Sequence, residues 1–235
     1  SGAAVFVLAP KGPVRVALFS AGSGNARWYA VAPRVFDGSF SVQLYSGEGR
    51  PTEGAAILIG PLSIALKSLS ADSIRFWAYH FNKPFPRAHV KLVLDNGREI
   101  VGNPATPVVS GAKIICEVSP VNFPKGFCQQ YPSADIWIQM MAVDQWYSPM
   151  ASKYYLDETL VGGDPVLAPV YRCYNEDHTC PLAIWQGAFP DAKVIQIQIV
   201  LGFDFTTRTT IYIDNVSIGE MAVPIEPETI AAADA

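Results

Sequence analysis

The sequence predicts an all-β protein, built as a single large antiparallel β-sandwich with long loops and little helix. About a dozen short runs of apolar and β-branched residues follow one another along the chain, which is typical of sandwich strands. The 18 glycines and 19 prolines are spread throughout, as turns between short strands require. Helical periodicity is weak, so a fold that depends on packed helices is not expected.

The predicted strands cover most of the chain. Apolar runs indicate strands at 4–8, 14–19, 27–31, 40–46, 55–59, 64–66, 74–81, 90–94, 98–101, 113–118 and 136–143. Asn96 and Gly97 separate two of these strands and predict a hairpin with a type I′ turn, because that turn needs positive φ at both central residues. The best helix candidate is the segment 144–155, which contains Pro149. The long segment 157–190 has weaker strand character and predicts a functional excursion or an assembly contact.

Two strands near the carboxyl end, 193–202 and 209–218, give the clearest pattern. In the first, apolar residues alternate with Gln196, Gln198 and Val200, which predicts a half-buried strand with Ile195, Ile197, Ile199 and Leu201 on one face. The second carries Asp214 inside an apolar, β-branched run. Because an unpaired buried carboxylate is costly, Asp214 is expected to have a partner.

Composition limits the classes of partner. Charged residues make up 16% of the 235-residue chain, and the formal net charge is −4. The scattered lysines and arginines argue against nucleic acid or an anionic membrane surface as partner. No apolar run reaches the length of about 20 residues that spans a bilayer. We expect a sandwich over 13–220, preceded by an apolar strand at 1–12 and followed by an extended tail at 221–235.

The cysteines fall into two local pairs, Cys116 with Cys128 and Cys173 with Cys180. Their C-x11-C and C-x6-C spacings are not those of a zinc site. Each pair flanks a turn-rich segment, which favours two disulfides that staple loops, although four buried thiols are the alternative. Disulfides would indicate an oxidising, extracellular location or the cell interior of a hyperthermophile, and we favour the first. We therefore predict a secreted or cell-surface protein from which a signal peptide has been removed.

Three segments resemble jelly-roll domains of the carbohydrate-binding-module type. They are Gln196-Ile-Gln-Ile199 with Thr210-Ile-Tyr-Ile-Asp-Asn-Val-Ser-Ile218, the early stretch from Trp28 to Ser46, and Leu69-Ser-Ala-Asp-Ser-Ile-Arg-Phe-Trp-Ala-Tyr79. The resemblance implies a jelly roll and a structural calcium that links an early turn to the terminal strand. Its implied ligands are Asp214 with Asp37 or Glu48, since calcium takes six to eight oxygens. The alternative is that Asp214 accepts hydrogen bonds from backbone amides at a bulge.

Aromatic side chains suggest one functional hypothesis, which is that the chain binds glycans. The candidates are Trp28, Tyr29, Trp77, Tyr79, Trp137, Trp146, Tyr147 and Trp185. Large aromatic residues also dominate sandwich cores, so most of them have a simpler explanation. Trp146 and Tyr147 are the preferred stacking residues, because they lie in a loop-like region.

Catalysis is not expected. No strand shows the spacing of two carboxylates that glycoside hydrolysis needs, and the three histidines are isolated. No cofactor is required beyond the calcium described above. Asn215-Val-Ser217 forms a glycosylation sequon, which also occurs by chance.

The apolar amino-terminal segment suggests a different functional hypothesis, which is the leading one. Val5, Phe6, Val7 and Leu8 read as a strand that completes the sheet of a neighbouring subunit. Such a head-to-tail contact builds filaments when it does not close. The leading prediction is therefore a structural subunit of an extracellular filament, thread or sheath, assembled by donor-strand complementation with itself as partner. The alternative for residues 4–8 is the first strand of their own sandwich, and the alternative function is a carbohydrate-binding module.

Overall fold

The computed structural model describes residues 13–46, 54–80, 88–110, 113–114, 137–147, 170, 179–201 and 209–227. Within them, two seven-stranded antiparallel sheets pack around a common core. The first sheet contains β1 (Arg15–Ser20), β4 (Ala55–Gly60), β5 (Ile64–Ala65), β7 (His89–Leu94), β8 (Glu99–Pro104), β13 (Trp146–Tyr147) and β14 (Lys193–Leu201). The second contains β2 (Asn25–Tyr29), β3 (Ser41–Ser46), β6 (Ile74–His80), β9 (Thr106–Pro107), β12 (Trp137–Met141), β15 (Thr209–Ile218) and β16 (Met221–Val223).

The strand order confirms the predicted fold. The first sheet runs β1-β4-β14-β7-β8-β13 with β5 beside β14, and the second runs β2-β3-β15-β6-β12-β9 with β16 beside β15. The chain passes repeatedly from one sheet to the other, which is the connectivity of a jelly-roll β-sandwich. Smaller elements in the described part include the pair β10 (Val109–Ser110) and β11 (Lys113–Ile114), the helix α1 (Leu182–Ala188), and 3-10 turns at Leu66–Ser68 and Ala71–Ser73.

The core forms where the inner faces of the two sheets meet. Ile57 of β4 and Ile199 of β14 are fully buried on one side, and Ile211 and Ile213 of β15 are fully buried on the other. Alternate residues of each strand point inward, so the period-two pattern of the sequence becomes one apolar face per sheet. The two central strands, β14 and β15, are the strong strand pair that the sequence predicts.

The inward face of β14 differs from the predicted one at its start. Ile195 is 41% exposed, whereas Val194 is fully buried. The pairing of β14 with β7 shifts register between Val194 and Gln196. A bulge adds one residue and turns the following side chain to the other face, so strict alternation from Ile195 was wrong at this position. Ile197, Ile199 and Leu201 are buried as predicted.

The hairpin between β7 and β8 is confirmed, but its turn type is not I′. Gly97 has a φ of +83°, and Asn215 is the one residue other than glycine with positive φ in the described part of the chain. Asn96 therefore lacks the positive φ that a type I′ turn needs. Leu94 and Arg98 close the loop through a hydrogen bond of 2.9 Å, which leaves three residues between them with glycine last. This arrangement is the common three-residue hairpin loop, in which glycine takes the left-handed conformation.

The described part of the predicted helix 144–155 is not helical, and residues 148–155 lie outside the described residues. Trp146 and Tyr147 of the predicted helix 144–155 form β13, while a helix that the sequence pattern missed covers Leu182–Ala188. Leu182 and Trp185 lie about one turn apart on this helix and are both buried, so the helix packs one face against the core. In the described residues, no helix is both long and apolar enough to cross a bilayer. The predicted tail begins as a strand, since β16 pairs with β15.

The central position of β14 makes a testable prediction about stability. Ile199→Ala removes a fully buried side chain and should lower the free energy of unfolding by about 2–5 kcal/mol in urea titration. Ile195→Ala, in the same strand but 41% exposed, is the matched control and should cost less than about 1 kcal/mol. Equal losses for the two variants would contradict the bulge.

Candidate functional site

The outward face of the second sheet carries a lateral row of aromatic and long polar side chains. Strand register places one residue from each of five neighbouring strands in line: Arg27, Gln43, Tyr212, Tyr79 and Trp137. Residues paired across strands point to the same side of a sheet. Tyr29 and Trp77 lie two residues along β2 and β6 and therefore share this side. We call these seven residues the aromatic face.

The rings of the aromatic face contact one another away from the main core. Trp77, Tyr79, Trp137 and Tyr212 form a buried cluster that is separate from the residues between the sheets. The ring centroids of Tyr79 and Trp137 are 5.5 Å apart, and those of Tyr29 and Tyr212 are 4.9 Å apart at 64°. These spacings are those of favourable tilted and edge-to-face pairs. The outer surface of a sandwich sheet is normally polar, so this cluster needs an explanation.

A chain of hydrogen bonds runs along the polar end of the row. Gln43 receives a hydrogen bond from Nε of Arg27 at its Oε1, and its Nε2 donates to the hydroxyl of Tyr212 at 2.7 Å. Nη1 of Arg34 donates to the same hydroxyl at 3.1 Å. The guanidinium of Arg27 also lies 6.0 Å from the ring centre of Tyr29. The face therefore combines ring surfaces with donors and acceptors held in fixed orientation.

Residues 30–40, which join β2 to β3, lie over the aromatic face; we call them the covering loop. The Phe36 ring stacks on Trp77 with a centroid distance of 4.5 Å and an interplanar angle of 13°. The indole Nε1 of Trp137 donates to the carbonyl oxygen of Pro33 at 3.0 Å. As a result, Trp77 and Trp137 are only 8% and 3% exposed although they lie on the outer side of the sheet.

Asp214 connects the covering loop to the terminal strand. Its Oδ2 accepts hydrogen bonds from the backbone N–H groups of Phe36 and Asp37 at 2.9 and 3.0 Å, and its Oδ1 accepts from Asn215 N–H at 2.8 Å. Asn215 has a φ of 47°, and the pairing of β15 with β6 shifts register between Asp214 and Ser217. The partners that the sequence required for this acid are therefore backbone amides at a bulge.

Burial raises the pKa of Asp214 above its ordinary value. The hydrogen bonds from the backbone of Asp37, Asn215 and Phe36 favour the charged form, but they do not outweigh the loss of solvation, and the nearby Asp37 carboxylate adds to the rise. Because the pKa is higher in the folded than in the unfolded chain, the native state binds this proton more tightly. The contribution of Asp214 to stability is therefore fully present below the unfolded pKa and is lost as the pH rises through the folded pKa.

The predicted calcium site finds limited support in the contacts of these residues. Asp37 and Asp214 both line a cavity of about 380 Å³, together with Glu226. However, three amide donors already occupy the Asp214 carboxylate, and the described residues contain no group of three or more His, Cys, Asp or Glu side chains that could hold a metal. Glu48 lies outside the described residues. These contacts match the bulge alternative, and calcium binding stays a prediction.

The preferred stacking residue of the sequence prediction requires correction. Trp146 is fully buried in the main core between the two sheets, so it offers no ring face to a sugar. It pairs with Gly102 of β8, its indole lies against that glycine, and its backbone exchanges two hydrogen bonds of 2.8 Å with Cys180. Asp144 accepts hydrogen bonds from both the Trp146 indole and the N–H of Leu182, which fixes the helix α1 against this strand. Tyr147, the second residue of that pair, is half-buried.

The roles predicted for several other residues, in disulfides, assembly and glycosylation, stay predictions. Cys116, Cys128 and Cys173 lie outside the described residues, as do Val5, Phe6, Val7 and Leu8. Cys180 is buried, and its Sγ lies 3.2 Å from the carbonyl oxygen of Val170. Asn215, the sequon residue, is half-buried within β15.

The raised pKa of Asp214 can be measured by carbon-detected NMR titration of its carboxyl group, with Asp214→Asn to assign the signal. We expect a midpoint above the ordinary value of 3.8, because burial disfavours the charged form. A midpoint at or below 3.8 would show that the three amide hydrogen bonds outweigh burial.

Comparison with known proteins gives one distant structural neighbour. The sequence matches no protein family model and no curated protein. Among solved structures, it is similar to the CBM22-1 xylan-binding domain of Xyn10C from Paenibacillus barcinonensis, with 10% identity, a TM-score of 0.38, and coverage of 96% of this chain and 100% of that chain. That neighbour is a carbohydrate-binding module, the class that the sequence segments resemble. A likeness at this TM-score is not evidence for a ligand. The jelly-roll assignment depends on the strand order of the chain itself.

Proposed function

We propose that this protein binds carbohydrate on the aromatic face of its second sheet. The observation that carries the proposal is the lateral row of Arg27, Gln43, Tyr212, Tyr79 and Trp137, which crosses five strands in register. Arg27 and Gln43 form the accessible end of this row, and Tyr212, Tyr79 and Trp137 continue it as buried side chains. Clustered apolar surface with a few converging polar groups is typical of ligand sites.

The chemistry of the row suits a sugar chain. The C–H faces of a pyranose ring stack on aromatic side chains, while its hydroxyl groups both donate and accept hydrogen bonds. Arg27 supplies donors and Gln43 supplies both a donor and an acceptor, while the buried Tyr212 hydroxyl accepts hydrogen bonds from Gln43 and Arg34. The hydrogen bonds of Gln43 to Arg27 and Tyr212 hold these groups in place before a ligand arrives, which lowers the entropic cost of binding.

Part of the face is open to solvent. Arg27 is exposed, Gln43 and Tyr29 are half-buried, and Tyr45 and Asn25 continue the same side of β3 and β2. A glycan can therefore make its first contacts along β2 and β3 without a change in the protein. The rings of Trp77 and Trp137 are covered in this structure and contribute only if the covering loop moves.

Self-assembly into an extracellular filament remains the alternative proposal. It depends on Val5, Phe6, Val7 and Leu8, which lie outside the described residues, so no contact of the structure supports it. The aromatic face instead supports the glycan-binding alternative with specific residues. A secreted location is consistent with either function.

Binding can be tested by isothermal titration against a panel of soluble polysaccharides, which begins with xylan and includes glucans, mannans and pectins. We expect at least one ligand, and we expect Gln43→Ala and Arg27→Ala to weaken it by about twofold to tenfold each, because each removes a hydrogen-bonding group. Gln198→Ala is the matched control, since Gln198 is also half-buried but lies on the outer side of the first sheet.

Two results would contradict the proposal. One is the absence of binding to every polysaccharide of the panel at millimolar sugar concentration. The other is an equal loss of affinity in Gln43→Ala and Gln198→Ala, which would place the ligand away from the aromatic face.

A further inference from the structure

The covering loop places an aromatic ring on the aromatic face in the manner of a ligand. Phe36 lies parallel to Trp77, with 4.5 Å between ring centroids and 13° between ring planes. The same ring lies 5.5 Å from Trp137 at 53°. Phe36 thus fills the corner between two tryptophans with a flat six-membered ring, which is the size and shape of the apolar face of a pyranose.

The other contacts of the loop also involve polar groups of the sheet surface. The Trp137 indole donates to Pro33, and the Tyr212 hydroxyl accepts from Arg34. The carboxylate of Asp214 accepts from the backbone of Phe36 and Asp37. Without the loop, each of these groups would be free to form a hydrogen bond with a bound molecule. The loop therefore supplies the hydrogen-bond partners that a ligand would supply.

The loop is held mainly by these side-chain contacts. Arg34 N–H donates to Val31 within the loop at 3.1 Å, and Ser41 Oγ donates to the carbonyl oxygen of Arg34. Residues on either side of Arg34 are exposed to solvent: Val31 is 62% exposed, and Asp37 is exposed as well. Segments with few backbone hydrogen bonds and exposed residues open locally at a lower free energy than the core.

We propose that Trp77 and Trp137 form a cryptic stacking subsite for a pyranose ring, which Phe36 occupies as an internal stand-in until a glycan displaces it. This inference rests on the proposed function and deepens it. The protein then exists in two states. In the closed state Phe36 lies on Trp77, and in the open state the indole rings of Trp77 and Trp137 are accessible to a ligand. A glycan binds the open state more tightly and shifts the population toward it.

The covering loop therefore sets the affinity of the site. The apparent dissociation constant equals the intrinsic one divided by the open fraction, so any change that weakens the Phe36 stack should tighten glycan binding. Phe36→Ala should strengthen binding by about threefold to tenfold, as expected when one aromatic contact no longer competes. Val31→Ala changes an exposed residue of the same loop without a ring contact and serves as the control, which should bind like the unchanged protein.

Loop opening can be measured without any ligand, by NMR hydrogen exchange on the full chain. The indole N–H of Trp137 and the amides of Phe36 and Asp37 should exchange at least about 100-fold faster than the amide of Ile213 in the central strand β15, because they open locally. Phe36→Ala should accelerate exchange at the Trp137 indole further, whereas Val31→Ala should not. Exchange of that indole at the rate of Ile213 would overturn the subsite, because it would mean that the loop opens only when the protein unfolds.

The binding measurements separate this inference from the proposed function. A glycan that binds the unchanged protein and Phe36→Ala equally would overturn the subsite and leave the proposed function standing. No binding to either protein would overturn the proposed function, and with it the sugar assigned to the subsite. Phe36→Leu, which keeps an apolar side chain but loses the ring, provides a second variant if Phe36→Ala does not fold, with the same expected direction.

Discussion

The arrangement of the outer surface of the second sheet depends on the hydrogen bonds that the Asp214 carboxylate accepts. It accepts three backbone hydrogen bonds, one from its own strand and two from the covering loop, which precedes it by more than 170 residues in the chain. A buried acid would be costly without these donors, and the loop would have little to hold it without the acid. The two needs are met together, and the result is that Phe36 is held above Trp77. The bulge at Asn215 belongs to the same arrangement, because it turns an N–H of the strand toward the acid.

The covering loop also reconciles two opposing requirements of an aromatic surface. Rings that stack on sugars must face outward, yet an exposed aromatic patch favours non-specific association and aggregation. Packing Phe36 on Trp77 removes this patch from solvent. In the proposed mechanism, the affinity for a glycan is the intrinsic affinity multiplied by the fraction of molecules in the open state. Arg27 on β2 stays exposed and Gln43 on β3 stays half-buried, so in the proposed mechanism the first contact with a glycan is separate from ring stacking.

The sequence predicts the fold better than the site, for physical reasons that individual residues make clear. Alternation along β14 and β15 identifies the two central strands, and the Asn-Gly pair identifies the hairpin, because these signals are local. The bulge that exposes Ile195 and the close packing of Trp146 on Gly102 depend on pairing with β7 and β8, which a local pattern does not contain. The aromatic face is a further case, since Arg27, Gln43, Tyr79, Trp137 and Tyr212 become neighbours only through the register of five strands. The need of Asp214 for a partner was predictable from its surroundings, whereas the identity of that partner required the fold.

The aromatic face and its covering loop together form the glycan-binding site that we propose. Chemical-shift mapping of the isotope-labelled protein during titration with an oligosaccharide fragment of the best-binding polysaccharide tests this most directly. If a glycan binds there, the largest shifts should occur at the side chains of Arg27 and Gln43, at the Trp137 indole and at the amides of Phe36 and Asp37. Shifts confined to the outer side of the first sheet, around Lys91 and Gln198, with an unchanged Trp137 indole, would contradict it.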